Sequence, residues 1–382
     1  MTPLDRFRHR ARHREPRSWQ PALLAPVIFT IGIIVLAVCT PKELAFSRFL
    51  AAAPALAASV WSVSGTLCMG LASVATVVVL GVTDRDVEDL FTVSVVAVVT
   101  LAAAYASHVR QQRERTLAEV RSVADTAQQV LLRPMPHRLD GVEIETLYLA
   151  AAAQARIGGD FYEALDTPHG VRVIIGDVRG KGLPAVGVSA ALLGCFREAA
   201  YEAADLADLA HRLEVSMSRY SGLLVGGDAL ERFATVLLAE IPGDGALARI
   251  VNCGHPAPLL LHGDGVREVV PSAPSPPINM AALLGDEYRI DTVPFGAGDG
   301  LLLYTDGVSE TRNGAGVFYP LVERARRWTA DAPQVLLERL HEDLLGYSGG
   351  DLDDDIAAVV LRAAARPARP ARTSTRADPV GP

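Results

Sequence analysis

Apolar residues dominate the first third of the chain, in runs long enough to cross a bilayer. Residues 21–40 are almost uncharged, and about 20 apolar residues match the thickness of the hydrocarbon core. A second apolar stretch, 50–82, is too long for one comfortable span and short for two, and 90–107 forms another span. A cleaved signal peptide is disfavoured, because the first run is long and no clean cleavage site follows it. The pattern predicts a multi-pass membrane region over residues 21–107.

The distribution of arginine predicts the orientation of these spans. Six arginines against two acidic residues lie in the basic segment 1–20, and three more, Arg110, Arg113 and Arg115, follow the last apolar run. Because positive charge stays on the cytoplasmic side, both flanks are expected in the cytoplasm, which requires an even number of spans. We expect four spans, with the long stretch turning near Ser62 to Gly65 and the acidic loop 83–89 outside. Two spans with an interfacial segment are the alternative.

Residues 108–133 have a helical composition and link the apolar region to the rest of the chain. Apolar residues recur in this linker at alternating spacings of three and four, the spacing of a heptad seam. The seam consists of Leu117, Val120, Ala124, Ala127 and Leu131. The helix either packs on its own domain or forms a short parallel coil that makes the protein a homodimer. Pro134 and Pro136 end it.

From residue 141 to 362, short strand-like runs alternate with turn residues, and helical patterns come in blocks. The predicted strands are Val142–Leu149, Phe161–Leu165, Val171–Ile175, Phe233–Ile241, Ala248–Val251, Pro258–Leu261, Gly300–Tyr304 and Ile356–Leu361. The predicted helices are Leu183–Ala203, Leu206–Tyr220 and Pro333–Leu345. This pattern favours an α+β domain in which two sheets pack face to face with helices outside. The tail 363–382, rich in Arg, Pro, Ser and Thr, is expected to be disordered.

Composition and motifs exclude several classes of partner and function. The net charge is −8, and no basic patch interleaved with aromatic residues occurs, so nucleic acid is not an expected partner. The four cysteines show no metal-ligand spacing, and reduced thiols in a cytoplasmic domain fit them better than a disulfide framework. No nucleotide-binding loop of the P-loop or protein-kinase type is present either, which argues against a kinase.

Carboxylates stand at the borders of four apolar runs. The best defined is Asp177, which follows the buried run 171–175 and precedes two further glycines; the others are Asp160, Asp306 and the run 353–355. A lone aspartate at a strand end most often caps a turn. Four such sites together are what a hard divalent cation needs, because Mg²⁺ and Mn²⁺ take oxygen ligands gathered from different elements.

Five motifs in order along residues 141–362 resemble the SpoIIE-like branch of the metal-dependent protein phosphatase 2C (PPM) superfamily. They are IGGDFYE, GDVRGKG, NCGHPAPLL, DGLLLYTDGVSE and DDDIAAVVL. The resemblance implies a four-layer αββα sandwich and a serine/threonine phosphoprotein phosphatase that uses two Mn²⁺ or Mg²⁺ ions. Such ions lower the pKa of a bound water and stabilise phosphoryl oxygens.

The same resemblance implies a role for each acidic position. The ligands it implies are Asp177 for both ions, with the carbonyl of Val178 beside it, Asp160 for one ion, and Asp306 and Asp354 for the other, with Asp355 as the alternative to Asp354. These aspartates would be the catalytic residues. Glycines beside them would allow close approach of the backbone, although they would also serve as ordinary turn glycines.

Two basic residues mark differences from the eukaryotic members. Arg179 stands where many of them carry a histidine that can act as general acid. Arg156, four residues before Asp160, stands where they place a phosphate-binding arginine, which makes it a candidate substrate-binding residue. His255 is more simply interpreted as part of a turn.

The expected function is that of a multi-pass protein of the cell membrane with a cytoplasmic phosphatase domain. The family resemblance points to a phosphorylated anti-sigma-factor antagonist as the substrate, in a partner-switching circuit. The alternative is a catalytically silent, membrane-tethered pseudo-phosphatase that binds a partner. Completeness of the acidic set favours the active enzyme.

Overall fold

The computed structural model describes residues 23–40, 46–82, 88–150, 159–223, 232–243, 246–263, 265–285, 287–350 and 352–364. Within the chain, two compact units meet at the boundary between Glu119 and Val120. The N-terminal unit is helical, and the C-terminal unit contains the sheets. The expected basic segment 1–20 and almost all of the expected tail 363–382 lie outside the described residues.

The N-terminal unit consists of apolar helices in the part described. They are α1 (Ala25–Cys39), a 3₁₀ turn (Phe46–Ala51) that leads into α2 (Ala52–Val60), α3 (Val63–Val82) and the first part of α4 (Glu88–Leu131). Residues 63–80 and 90–120 are long and apolar enough to cross a membrane, whereas 25–39 and 48–60 are shorter apolar helices. Helix α2 ends and α3 begins at a non-helical connection formed by Trp61 and Ser62, beside the expected turn.

A polar cluster at one end of this unit fixes the path of the chain. The indole Nε1 of Trp61 donates to the carbonyl of Leu23 at 3.0 Å, and the carbonyl of Trp61 accepts from Ser107 Oγ at 2.9 Å and from Arg110 at 2.7 Å. Arg110 also donates to the carbonyl of Ala58, so it satisfies carbonyls that the end of α2 leaves without helical partners. The start of α1, the α2–α3 turn and residues 107–110 therefore share one end, as a four-pass arrangement requires.

Helix α4 is continuous, so the last expected span, 90–107, and the expected linker, 108–133, are parts of one element. The two halves of the heptad seam have different surroundings. Leu117 and Val120 are exposed, whereas Ala127 and Leu131 pack against Val186. The second half thus packs on the domain itself, as one of the two alternatives expected. Dimerisation through the linker stays a prediction.

The C-terminal unit contains two antiparallel sheets. The first has the order β1 (Arg138–Leu139), β2 (Val142–Leu149), β11 (Ile356–Ala363), β10 (Gly300–Tyr304), β7 (Leu259–His262) and β8 (Gly265–Glu268). The second has the order β3 (Phe161–Thr167), β4 (Gly170–Val178), β5 (Ala234–Ile241), β6 (Leu247–Cys253) and β9 (Asp291–Pro294). The helices are α5 (Leu183–Glu202), α6 (Leu206–Leu223), α7 (Ala281–Leu284), α8 (Asp306–Ser309), α9 (Leu321–Ala325) and α10 (Pro333–Ser348).

Burial on both faces of the sheets produces four layers. In β4, Val173 and Ile175 face the first sheet, whereas Ile174 between them packs against α5 and α6. Strands covered on both sides read as continuous apolar runs rather than as alternating ones, which is why 171–175 looks uniformly hydrophobic. The outer face of the six-stranded sheet packs on α9 and α10. The order is therefore helices, sheet, sheet, helices, and the predicted αββα sandwich is confirmed. Helix α5, although apolar enough for a span, belongs to this core.

A fully buried arginine ties the outer helices to the five-stranded sheet. Arg172 on β4 lies 2.7 Å from Glu240 on β5, and the two side chains are 0% and 2% exposed. Arg172 also donates to the carbonyls of Ala200 and Ala203 at 2.9 Å, at the end of α5, where helical carbonyls need outside donors. Arg249 binds the other oxygen of Glu240 at 2.6 Å.

We expect Glu240→Leu to destabilise the C-terminal unit by about 3–5 kcal/mol, because it leaves the charge of Arg172 buried without its partner. The double variant Arg172→Met, Glu240→Leu should recover much of that loss, since well-packed apolar side chains often replace a buried ion pair at little cost. The measurement is pulse proteolysis of the full chain in detergent over a urea series, following the C-terminal unit.

The matched control is Arg289→Met, which breaks the exposed pair with Glu287, a pair whose side chains are 58% and 79% exposed. Exposed pairs contribute about 0–1 kcal/mol, so its unfolding midpoint should barely move. A Glu240→Leu midpoint equal to that of the control would contradict the structural role of the buried pair.

Candidate metal centre

Carboxylates from four separate chain segments line one cleft. Asp160 directly precedes β3, Asp177 is the second-last residue of β4, Asp306 begins α8 just after β10, and Asp354 lies shortly before β11. All four border a cleft of about 280 Å³, together with Val178. The structure thus brings together five of the sequence-predicted ligand positions, from both sheets.

Glycines allow the close approach on which this arrangement depends. The amide of Val178 donates to the carbonyl of Gly159 at 3.3 Å. A Cβ on Gly159 would lie 2.4 Å from the Val178 carbonyl oxygen and 2.7 Å from Asp177 Oδ1. A Cβ on Gly307 would lie 2.0 Å from the carbonyl oxygen of Asp355. All three distances are far below van der Waals contact, so both positions are close-approach glycines.

Burial and repulsion between neighbouring charges raise the pKa values of three cleft carboxyls. Burial, followed by the negative charges of Asp306 and Asp354, raises the pKa of Asp177 to about 7. Burial and the charge of Asp177 raise the pKa of Asp160 well above its usual value. The pKa of Asp306 is raised by burial and by Asp354. For each of these three carboxyls, the negative charge of a neighbour disfavours ionisation. This is the electrostatic signature of a site that a cation would stabilise.

The donor set fits a hard divalent cation. Among the described residues, no three acidic, histidine or cysteine side chains converge tightly enough to enclose an ion unaided. A magnesium-like ion does not need such a triad, because it retains several waters and is often held by only one or two carboxylates. All the candidate donors here are carboxylate or carbonyl oxygens, which Mg²⁺ and Mn²⁺ prefer.

The three consecutive aspartates 353–355 have different surroundings. Asp354 borders the cleft. Asp355 is buried and does not line it; its Oδ2 accepts from the hydroxyl of Tyr148 at 2.9 Å. Tyr148 in turn accepts from Gln128 Nε2 at 2.7 Å. The surroundings favour Asp354 as the ligand and give Asp355 a supporting role.

The cationic side of the cleft is formed by the turn after β4. Arg179 and Lys181 both line the cleft with Phe233 and Thr235. The guanidinium of Arg179 lies 5.3 Å from the centroid of the Phe233 ring, within the range of a cation–π contact. Arg156 lies outside the described residues, and its phosphate-binding role stays a prediction.

His255 lies behind the cleft, where it has structural partners. Its Nδ1 is 3.1 Å from Thr235 Oγ1, and its amide and carbonyl both bond the side chain of Asn252 at 2.8 Å. Burial lowers the pKa of His255 to about 3, so the ring is neutral. These contacts agree with its interpretation as a turn residue.

Sequence reasoning missed three residues around the centre. Thr305 donates to Asp160 Oδ2 at 2.8 Å and so joins the two sheets; its position directly before Asp306 was the available signal. Tyr148 and Gln128 gave no signal. Tyr148 bonds Asp355, which lies 207 positions further along the chain. Gln128 bonds Tyr148, which lies 20 positions further along.

The family model for stage II sporulation protein E (SpoIIE) matches residues 167–364. The chain belongs to the SpoIIE family. Its fold is that of the PP2C-type (PPM) phosphatases: the SiaA PP2C domain of Pseudomonas aeruginosa superposes with a TM-score of 0.50 at 19% identity, covering 66% of this chain and 98% of that one.

Two curated relatives each match a little more than half of the chain. The phosphoserine phosphatase RsbP of Bacillus subtilis is 28% identical over 215 residues, which are 56% of this chain and 51% of RsbP. Protein IcfG of Synechocystis is 24% identical over 230 residues, 54% of this chain and 36% of IcfG. The aligned region thus spans about half of RsbP and about a third of IcfG.

We expect Gly159→Ala to weaken Mn²⁺ binding by at least about tenfold, because its Cβ would displace Asp177 or the Val178 carbonyl, and displaced ligand geometry costs about 10–100-fold in affinity. The measurement is calorimetric titration of the full chain with Mn²⁺. Gly194→Ala in α5 is the control, since its Cβ would meet nothing within 4 Å. Equal affinities in the two variants would show that close approach at residue 159 does not shape the centre.

Proposed function

We propose that the C-terminal unit is a metal-dependent phosphoserine/phosphothreonine protein phosphatase that works with two Mn²⁺ or Mg²⁺ ions. The observation that carries the proposal is the meeting of Asp160, Asp177, Asp306 and Asp354 in one cleft. Membership of the SpoIIE family supports the reaction class, and a phosphoserine phosphatase among the relatives supports the substrate chemistry.

Each residue has a proposed task. Asp177 would serve both ions, with the Val178 carbonyl as a further ligand beside it, Asp160 would serve one ion, and Asp306 and Asp354 the other. The bound ions would supply an activated water and neutralise charge on the phosphoryl group. Thr305 orients Asp160 through its hydrogen bond.

Asp177→Asn and Asp306→Asn should each lower turnover of a generic phosphate ester by about 100-fold or more, since bound metal contributes several kcal/mol of transition-state stabilisation. Stability in chelator should stay the same or rise, because removing one like charge relieves repulsion in the cluster. The measurements are hydrolysis with added Mn²⁺ or Mg²⁺ and unfolding in chelator, both on the full chain.

Asp166→Asn is the control, because Asp166 is exposed on β3 and does not border the cleft. Unchanged turnover in Asp177→Asn would overturn the two-metal chemistry. Native protein that binds Mn²⁺ yet hydrolyses no phosphate ester or phosphoprotein would instead establish the pseudo-phosphatase alternative.

The proposed substrate is a phosphorylated anti-sigma-factor antagonist. The acidic cleft disfavours polyanions and suits a single phosphorylated side chain, and RsbP, a relative, is a phosphoserine phosphatase. The test offers the chain phosphorylated antagonist proteins from the same cell, a phosphotyrosine peptide and nucleotide monophosphates. Faster release from the small esters or the peptide than from every antagonist would reject this substrate and leave the metal chemistry intact.

We further propose that the N-terminal unit anchors the protein as a multi-pass element of the cell membrane, with the phosphatase in the cytoplasm. Two long and two shorter apolar helices support this, as does the shared end of Leu23, Trp61 and Arg110. Reporter fusions at the N-terminus and after Arg110 should report cytoplasm, and one at Asp86 should report the outside. A cytoplasmic Asp86 would contradict four spans.

A further inference from the structure

A lysine stands among the carboxylates of the metal centre. Lys181 lies in the turn between β4 and α5, and its Nζ is 2.9 Å from Asp354 Oδ1. The flanking residues Gly180 and Gly182 have φ values of +112° and +87°, a region that favours glycine. These two glycines allow the turn to bring Lys181 into the cleft, where it joins a residue of the other sheet.

The charge of Lys181 reaches more than one carboxylate. Besides its contact with Asp354, Lys181 lines the cleft that Asp177 and Asp306 also border. Lys181 is thus a positive charge placed among three of the cleft carboxylates, and it forms an ion pair with one of them. Clustered carboxylates repel one another unless a cation is near, and this ammonium is one that the chain itself provides.

The choice of lysine is informative in a chain that otherwise uses arginine. Of 36 basic residues, only Lys42 and Lys181 are lysines. Arginine makes a rigid two-bond pair with a carboxylate, whereas the lysine ammonium is a compact charge on a flexible stem. The pair here is also partly exposed, with side chains 37% and 51% accessible, and such pairs are weak. An ion pair of this kind can dissociate, so that Lys181 releases Asp354.

We propose that Lys181 is an exchangeable counter-cation of the centre: it pairs with Asp354 in the metal-free protein, yields that carboxylate to a divalent ion, and then binds the substrate phosphoryl group. The inference rests on the proposed phosphatase function and adds a residue to it. Once Asp354 coordinates the ion, the ammonium remains in the same cleft with a free charge. A phosphoryl oxygen is the anion that enters this cleft during the reaction.

A purely structural lysine would behave differently. If Lys181 only joined the two sheets, its removal would loosen the site and weaken metal and substrate binding together. An exchangeable counter-cation predicts opposite signs, because removing it eliminates a competitor for Asp354 and at the same time eliminates a phosphate contact. The sign of the two effects therefore separates the two roles.

The test compares native protein, Lys181→Met and Lys181→Arg as full chains in detergent. Calorimetry with Mg²⁺ should show about 2- to 5-fold tighter binding in Lys181→Met, the scale of an exposed ion pair. The KM for a phosphoprotein or phosphate ester should rise about tenfold, the scale of one charged hydrogen bond. Lys181→Arg should bind Mg²⁺ more weakly than native protein and keep KM within about threefold.

A second readout observes the lysine directly. In a Lys42→Arg background, reductive ¹³C-methylation gives one lysine signal, from Lys181, beside that of the N-terminal amine. The signal should shift on addition of Mg²⁺ and shift again on addition of inorganic phosphate with Mg²⁺ present, but not with phosphate alone. An insensitive signal, or weaker Mg²⁺ binding in Lys181→Met, would overturn the role assigned to Lys181. A native chain that neither binds Mg²⁺ nor hydrolyses any phosphate would overturn the phosphatase proposal itself.

Discussion

Repulsion between carboxylates is the constraint on which the centre depends. The ends of four strands hold aspartates together in a partly buried cleft, where burial and neighbouring negative charges raise the pKa values of Asp160, Asp177 and Asp306. The clustered aspartates bury no apolar surface that would offset their repulsion, so the free energy that keeps the unit folded must come from other parts of it. The sandwich supplies it with apolar cores on both faces of each sheet, and the strand ends are free to carry charge.

Because the clustered carboxylates come from both sheets, the polar contacts near the cleft link one sheet to the other. Thr305 follows β10 of the first sheet and donates to Asp160 beside β3 of the second. Lys181 follows β4 and pairs with Asp354 next to β11. Two sheets that meet through apolar side chains can slide by small amounts. The buried bond from Thr305 to Asp160 fixes their mutual position where ligand geometry matters, whereas the partly exposed Lys181 pair is too weak to do so.

Much of this could be predicted from the sequence, because the signals are local. The run 300–304 gave strand β10 with the bounds observed, and 142–149 did the same for β2. The short strands β8 and β9 escaped prediction because they are four-residue edge strands with exposed side chains. Asp160, Asp177 and Asp306 were visible as acids ending apolar runs. Tyr148 was invisible, because its role exists only where Asp355 comes near across the fold.

The proposed even number of membrane passes in the N-terminal unit has a consequence for how such an anchor can change during evolution. The polar cluster around Trp61 and Arg110 closes the helices into two hairpins that begin and end together. Whole hairpins can therefore be gained, lost or exchanged without moving the attached domain to another compartment. Gain or loss of a single helix would move the attached domain to the other side of the membrane. For an anchor of the proposed kind, we expect the membrane regions of related proteins to differ by pairs of helices.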